Sequence, residues 1–271
     1  MIRIKEGTGW RLVEHRDHAR LAGVFARHWG NSDFAAPEPR ADILEAVARH
    51  DDAWAERDAQ PCLTRAGLPS AFSHELVGAY SAFEEIDLAD YLGVRGRATE
   101  AVAADNPYAA TLISMHTVNL LTEQANLAGV TTSDLVLHRE FILGQRRRQA
   151  ELVAQVRAAG RAADVDPASL ERAFEFLQLC DNLSLITCVR YPQPRALRHQ
   201  HPRRDGTLVT LVCTPLGDDA YRVSPYPFDG GELRVTVPCR VVRGEKFSSE
   251  EEFRAACTGA VSGIVAICLV R

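Results

Sequence analysis

Five residues with metal-ligating side chains occupy stretches whose sequence predicts buried helices: His18, His50, Asp51, His116 and Asp181. His18 lies on the apolar face of the first predicted helix, and His116 lies in the middle of a long apolar run. An ionised aspartate is costly to bury alone, so Asp181 within FEFLQLCDNLSLITC requires a cation or a set of hydrogen bonds. Imidazole and carboxylate groups together suit zinc, iron, manganese or nickel better than calcium. These residues therefore predict a shared metal site.

Each of these residues also has a purely structural interpretation. His50 and Asp51 in AVARHDDAW close a helix, where the helix dipole favours a histidine but not an aspartate, so Asp51 is the more informative of the two. Asp181 could instead cap a neighbouring helix, and His18 could pair with the aspartate beside it. A core histidine that donates to a backbone carbonyl explains His116 as well as metal ligation does.

Helical periodicity covers most of residues 1–190. We predict helices over residues 14–29, from Pro39 to His50, from Pro107 to Gly129, from Ser133 to about Ala159, and from Pro167 onwards. Two of the starts, at Asn106-Pro107 and Asp166-Pro167, combine a capping residue with proline at the first helical position.

The sequence changes character after residue 190. YPQPRALRHQHPRRDG is rich in proline and charge, which is typical of a linker. Four short β-like runs follow, separated by turn signals and one short helix, SSEEEFRAACTGA. These runs are TLVTLVCT, AYRVSPYPF, ELRVTVPCRVV and SGIVAICLV. We therefore predict a mainly α fold, with a helical domain over residues 1–195 and a small β-rich C-terminal region over residues 196–271.

The order His18, His50-Asp51, Asp181 resembles the H…HD…D signature of the HD-domain superfamily of all-helical, metal-dependent phosphohydrolases. The resemblance implies an HD-domain-like helical bundle in which these four residues bind a divalent transition metal (Mn, Fe, Ni, Co or Zn). It also implies that His116 is a ligand if a second ion is bound. The stretches DHARLAG, HDDAW, NPYAATLISMH and LQLCDNLSL resemble more closely an uncharacterised bacterial family of unknown function.

The resemblance implies hydrolysis of a small-molecule phosphoester, with nucleotides among the candidate substrates, by a metal-activated water. Asp52 and His116 are the predicted catalytic residues, which would position the nucleophile or move a proton. Gln178 and Trp54 are the predicted substrate-binding residues. Several HD phosphohydrolases have a lysine shortly after the HD pair, whereas Asp52, Ala53 and Trp54 stand here, which weakens the case for phosphate chemistry.

Two other functions remain open at this point. The chain could be a catalytically silent protein that binds a metal or another ligand, with the β-rich region as an interaction module. A weaker alternative is a diiron oxygenase on the same scaffold. Walker-type GxxxxGK[ST] and Rossmann GxGxxG motifs do not occur, so the sequence gives no support for nucleotide binding by those routes.

Composition limits the partners and the compartment. The formal net charge of −5 argues against nucleic acid or an anionic membrane as the main partner. No apolar run approaches the roughly 20 residues that a membrane helix needs, and the first residues have no signal-peptide pattern. The 7 cysteines are scattered without a CxxC pair, so we expect a cytoplasmic protein without a cysteine zinc site. The sequence leaves open whether copies of the chain form a homo-oligomer.

Overall fold

A mixed sheet of seven strands lies at the centre of the fold in the computed structural model, which describes residues 1–73, 75, 77, 88–123, 130–217 and 219–271. The strands are β1 (Ile2–Glu6), β2 (Gly9–Val13), β3 (Arg195–Pro202), β4 (Leu208–Gly217), β5 (Ala220–Ser224), β6 (Glu232–Arg243) and β7 (Val261–Val270). Their order across the sheet is β1-β2-β6-β7-β5-β4-β3. The β5–β7 pair is parallel and the other pairs are antiparallel.

The prediction of a mainly α bundle is wrong, because the chain is 49% helical and 24% strand and its sheet curls. The predicted C-terminal strands are present, but the sheet also includes β1 and β2 from the other end of the chain. Gly9 of β2 pairs with Arg243 of β6. The predicted division at residue 195 lies at the start of β3, so the sheet draws strands from both predicted regions.

The predicted linker after residue 190 is also wrong in part, since residues 195–202 form β3 rather than irregular chain. Its partner is β4, with a change of register between Ala196 and Gln200. The strand consists mainly of polar residues, much of it is exposed, and only Leu197 within it is fully buried. Such an edge strand has few of the apolar alternations on which strand prediction depends.

Eight α-helices are present in the described part of the chain. They are α1 (His15–His28), α2 (Arg40–Arg49), α3 (Ala55–Ala59), α4 (Leu88–Ala103), α5 (Pro107–Thr122), α6 (Thr132–Ala158), α7 (Pro167–Cys188) and α8 (Glu250–Thr258). The predicted cap-and-proline starts are confirmed. Asn106 accepts a hydrogen bond from the backbone of Ala109, and Asp166 does the same for Ser169. The predicted end of α5 at Gly129 lies outside the described residues.

The helices α1 and α7 connect the sheet to the rest of the helical layer. α7 contacts β1, β3 and β7, while α1 contacts β6, α2 and α7. The crossing of α1 and α2 is close at Gly23, where an added Cβ would lie 2.7 Å from the Cβ of Ala48. Among the described residues, no helix combines the length and the apolar character needed to cross a bilayer.

Candidate metal centre

Four separate helical elements bring the predicted metal ligands together in the interior. His18 lies on α1, His50 and Asp51 follow directly after α2, His116 lies on α5, and Asp181 lies on α7. Each is buried, with exposed fractions between 0% for His50 and 8% for Asp181. We call these five side chains the His/Asp cluster.

Short distances connect the members of the His/Asp cluster. The Nε2 atom of His18 lies 3.1 Å from Oδ2 of Asp51, and its Nδ1 atom lies 3.8 Å from Oδ1 of Asp181. The Nε2 atom of His50 lies 3.3 Å from Oδ1 of Asp181 and 3.8 Å from Oδ2 of Asp51. The ring of His116 is centred 5.0 Å from the ring of His50.

The hydrogen-bond partner of His50 fixes its tautomer. Its Nδ1 atom is 2.8 Å from the backbone carbonyl oxygen of Val47, and a carbonyl oxygen can only accept. The ring hydrogen therefore lies on Nδ1, and the Nε2 lone pair of the neutral ring faces the two aspartates. Nε2 is buried and lies 3.3 Å from Oδ1 of Asp181. A neutral imidazole nitrogen next to buried carboxylates could bind a metal ion.

His18 and His116 are held in the same way through Nδ1. The Nδ1 atom of His18 lies 2.9 Å from Oγ of Ser184, and that hydroxyl donates to the carbonyl oxygen of Asp181 at 2.8 Å. The hydroxyl therefore accepts from His18. The Nδ1 atom of His116 donates to the side-chain oxygen of Gln178. In the rings of His50 and His116, Nδ1 carries the hydrogen, so Nε2 is the nitrogen left to bind a cation. Nε2 of His18 forms a hydrogen bond with Oδ2 of Asp51 at 3.1 Å, so a cation there would replace the proton between these two atoms.

The charge balance of the cluster shifts the pKa values of its members. Burial alone would lower the pKa of His50, but the carboxylates of Asp51 and Asp181 outweigh it and raise this pKa to about 9. Burial lowers the pKa of His116 to about 4, with added repulsion from His50 and Arg95. Without a metal ion, His50 therefore carries a proton on Nε2 at neutral pH. A proton and a metal ion compete for that nitrogen.

Arg95 on α4 is a member of the site that the sequence did not indicate. Its Nη1 atom donates to Oδ1 of Asp51 at 2.6 Å, and its side chain is buried. Burial would raise the pKa of Asp51, but Arg95 and His50 hold it well below its usual range. The only local signal was the spacing of four residues from Tyr91, whose hydroxyl accepts from Nε of Arg95 at 3.2 Å. That spacing is common on helices, so the sequence alone could not identify the residue.

The described residues contain two overlapping groups that could hold a metal ion. One is His18, His50 and Asp51, and the other is His50, His116 and Asp181; within each group the ligand atoms lie within 4.8 Å of one another. His50 belongs to both groups, and its Nδ1 atom is occupied by Val47. A single Nε2 lone pair can bind only one ion, so the two groups cannot both use His50 at the same time.

The other predicted site residues have different positions relative to the cluster. Gln178 contacts it directly, through His116, and its side-chain nitrogen donates to Asn119 at 2.8 Å. The structure does not bring Asp52 into the cluster: its carboxylate is partly exposed and pairs with Arg49 at 3.1 Å. Trp54 is fully buried, and its ring lies 5.2 Å from the guanidinium of Arg95.

Ser184 and His15 are two further neighbours of the site that the sequence analysis did not identify. Ser184 lies one helical turn after Asp181, on the same face of α7, and a search for serine at that spacing would have found it. His15 stacks on Trp54 with ring centres 4.4 Å apart. It also lies 3.0 Å from Asp58, a buried carboxylate that binds the amino group of Met1 at 2.8 Å.

Comparison with known proteins adds one finding. A family profile described as "Protein of unknown function (DUF3891)" matches residues 1–244. The chain belongs to this family. No curated protein and no solved structure matches the chain significantly. Membership of DUF3891 assigns no activity and gives no link to the HD-domain superfamily, so that resemblance stays a prediction.

Proposed function

We propose that this member of DUF3891 is a metal-dependent hydrolase that binds one divalent transition-metal ion in the His/Asp cluster and acts on a small phosphoester. The observation that supports the proposal is the orientation of the three histidines. Each ring has its Nδ1 atom hydrogen bonded to a protein group, and the Nε2 atoms of His18 and His50 lie 3.1 and 3.3 Å from buried carboxylates. In metal centres, the ring nitrogen of a histidine ligand that does not bind the metal is typically hydrogen bonded to a protein group, which orients the ring.

In this proposal His18, His50, Asp51 and Asp181 hold the ion, which is Mn, Fe, Ni, Co or Zn. A bound divalent ion of this kind lowers the pKa of a coordinated water toward about 7 and polarises a phosphoryl oxygen. Gln178 holds the ring of His116 through Nδ1, so that Nε2 of His116 accepts a proton from the nucleophile. Deep burial of the cluster excludes bulk water and strengthens these interactions.

Elemental analysis of the purified protein tests the metal site. We expect about one metal ion per chain in the parent protein and a large loss in Asp51→Asn. The matched control is Asp52→Asn, since Asp52 is the adjacent carboxylate but pairs with Arg49 outside the cluster. Equal metal content in Asp51→Asn and the parent would remove Asp51 from the site.

A phosphoesterase screen with Mn²⁺, Ni²⁺, Co²⁺ and Mg²⁺ tests the activity. We expect turnover that a chelator abolishes and that added metal restores, and we expect His116→Gln to retain metal but lose turnover. Metal-loaded protein that turns over no phosphoester on a broad panel would contradict the hydrolase proposal.

A second candidate function, binding of a metal or other ligand without turnover, is favoured by the burial of the cluster. The side chain of Asp181 is 12% exposed, and those of His18, His50 and Asp51 are at most 5% exposed. The third candidate, a diiron oxygenase, fits less well because His50 supplies one nitrogen to both potential ligand groups. Two iron ions per chain together with oxygen consumption would favour it over the other two.

A further inference from the structure

A buried guanidinium contacts the His/Asp cluster directly. Nη1 of Arg95 lies 2.6 Å from Oδ1 of Asp51, whose other oxygen, Oδ2, is the one nearest to His18 and His50. The group lies 5.2 Å from the ring centre of Trp54 and 5.3 Å from that of Tyr91. Two aromatic rings and an ion pair thus hold Arg95 in place, and it is 4% exposed.

A bound divalent ion gives the cluster a net positive charge. With the imidazoles neutral, as metal ligands must be, the two carboxylates and one guanidinium of the described residues contribute one net negative charge. A divalent ion turns this into one net positive charge. The nearby carboxylate of Asp58 does not alter the balance, because it is paired with the amino group of Met1. A buried site with excess positive charge favours an anion as its next ligand.

We infer that Arg95 is the anion-binding residue of the metal-loaded site, where it selects a tetrahedral oxyanion such as phosphate or a phosphoester. Arginine is suited to this task because its planar group donates several hydrogen bonds to such oxygens. The inference rests on the proposed metal site and adds the ligand class that this site recognises. It also means that the ion pair of Asp51 with Arg95 weakens the attraction of the Asp51 carboxylate for the metal ion.

These two roles predict effects of opposite sign when the guanidinium is removed. In Arg95→Met, the metal ion no longer shares Asp51 with a competing cation, so its affinity should rise by about tenfold. Inorganic phosphate, by contrast, should bind the metal-loaded variant at least about tenfold more weakly, because a charge-assisted partner is lost. Arg95→Lys keeps the charge and should retain part of the phosphate affinity.

Calorimetric titration tests the inference in two stages. Mn²⁺ is titrated first into the metal-free protein, and inorganic phosphate is then titrated into the Mn²⁺-loaded protein. The matched control is Arg161→Met, which removes a guanidinium paired with Asp42 and Asp164 at a distance from the cluster. The folding of each variant is checked by thermal melting in the metal-free and the Mn²⁺-loaded form, so that a destabilised metal-free protein is recognised before titration.

Tighter Mn²⁺ binding with weaker phosphate binding in Arg95→Met, and neither change in Arg161→Met, would support the inference. Unchanged phosphate affinity in Arg95→Met would overturn it, and so would a parallel loss of both affinities, which indicates a purely structural role. If the parent protein binds no Mn²⁺ or other divalent ion, the proposed function itself fails. That outcome is distinct from one in which the parent protein binds metal but the phosphate affinity of Arg95→Met is unchanged.

Discussion

The close crossing of α1 and α2 at Gly23 predicts a strong effect of the smallest possible substitution. In Gly23→Ala, the new Cβ would lie 2.7 Å from Cβ and 3.1 Å from Cα of Ala48, whereas ordinary contact begins at 3.4 Å. Neither atom belongs to a flexible side chain, so the two helices must separate. Overpacking of this kind costs about 1–3 kcal/mol, which is a decrease in Tm of about 2–6 °C for a chain of this size.

The same separation should weaken metal binding. Ala48 lies two residues before His50, and α1 carries His18, so a wedge between the helices stretches the 3.1 Å approach of His18 to Asp51. Metal sites tolerate displacements of only about 0.5 Å. We therefore expect Gly23→Ala to bind Mn²⁺ more weakly than the parent in a competition assay with a chromophoric chelator.

The matched control is Gly144→Ala on α6, where an added Cβ meets nothing within 4 Å. Alanine is the better helix former, so this variant should gain about 0.5–1 kcal/mol in urea denaturation and keep its metal affinity. The reasoning would be refuted if Gly23→Ala were as stable as the parent, or if both variants lost stability equally.

Three further predictions concern partners of the cluster and one distant histidine. Ser184→Ala removes the acceptor that orients His18 and should lower Mn²⁺ affinity about tenfold in the chelator assay, whereas an unaffected affinity would show that the hydroxyl does not position the ring. Gln178→Leu removes the acceptor of His116 and should reduce turnover while the metal content by elemental analysis stays near that of the parent; a large loss of metal would instead make His116 a ligand. Burial lowers the pKa of His201 to about 4. The unfolded chain therefore binds the proton more strongly, and this contribution to stability is complete above pH 6.5 and is lost as the pH falls toward 4, by up to about 3 kcal/mol. Urea denaturation at pH 7 and pH 4.5 should show a smaller decrease for His201→Phe than for the parent, and equal decreases would contradict the assignment.

The features that could be predicted from the sequence are those that local signals determine. Asn106 and Asp166 cap α5 and α7 as expected, because a cap acts on backbone groups two or three residues away. The cluster of His18, His50, Asp51, His116 and Asp181 could also be predicted, since ionisable residues inside apolar helices must find partners.

The features that could not be predicted depend on contacts between distant segments. The strand β1 has only five residues, and nothing near it in the chain shows that the hairpin it forms with β2 will pair with β6. Likewise, Arg95 is buried because Asp51 neutralises it, and Asp51 lies 44 residues earlier. Pairings of this kind are set by the whole fold rather than by periodicity.

The pairing of β2 with β6 has a consequence for how the chain acquires its fold during synthesis. Gly9 of β2 can pair with Arg243 of β6 only after residue 243 has been synthesised. The β1–β2 hairpin is therefore synthesised long before β6, its neighbour in the sheet. An isolated two-stranded hairpin is only marginally stable in water, and its open edge invites pairing with other chains. A fragment that stops at residue 195 would keep every member of the His/Asp cluster yet leave this edge uncovered. We therefore expect such a fragment to aggregate rather than to bind metal as an independent unit.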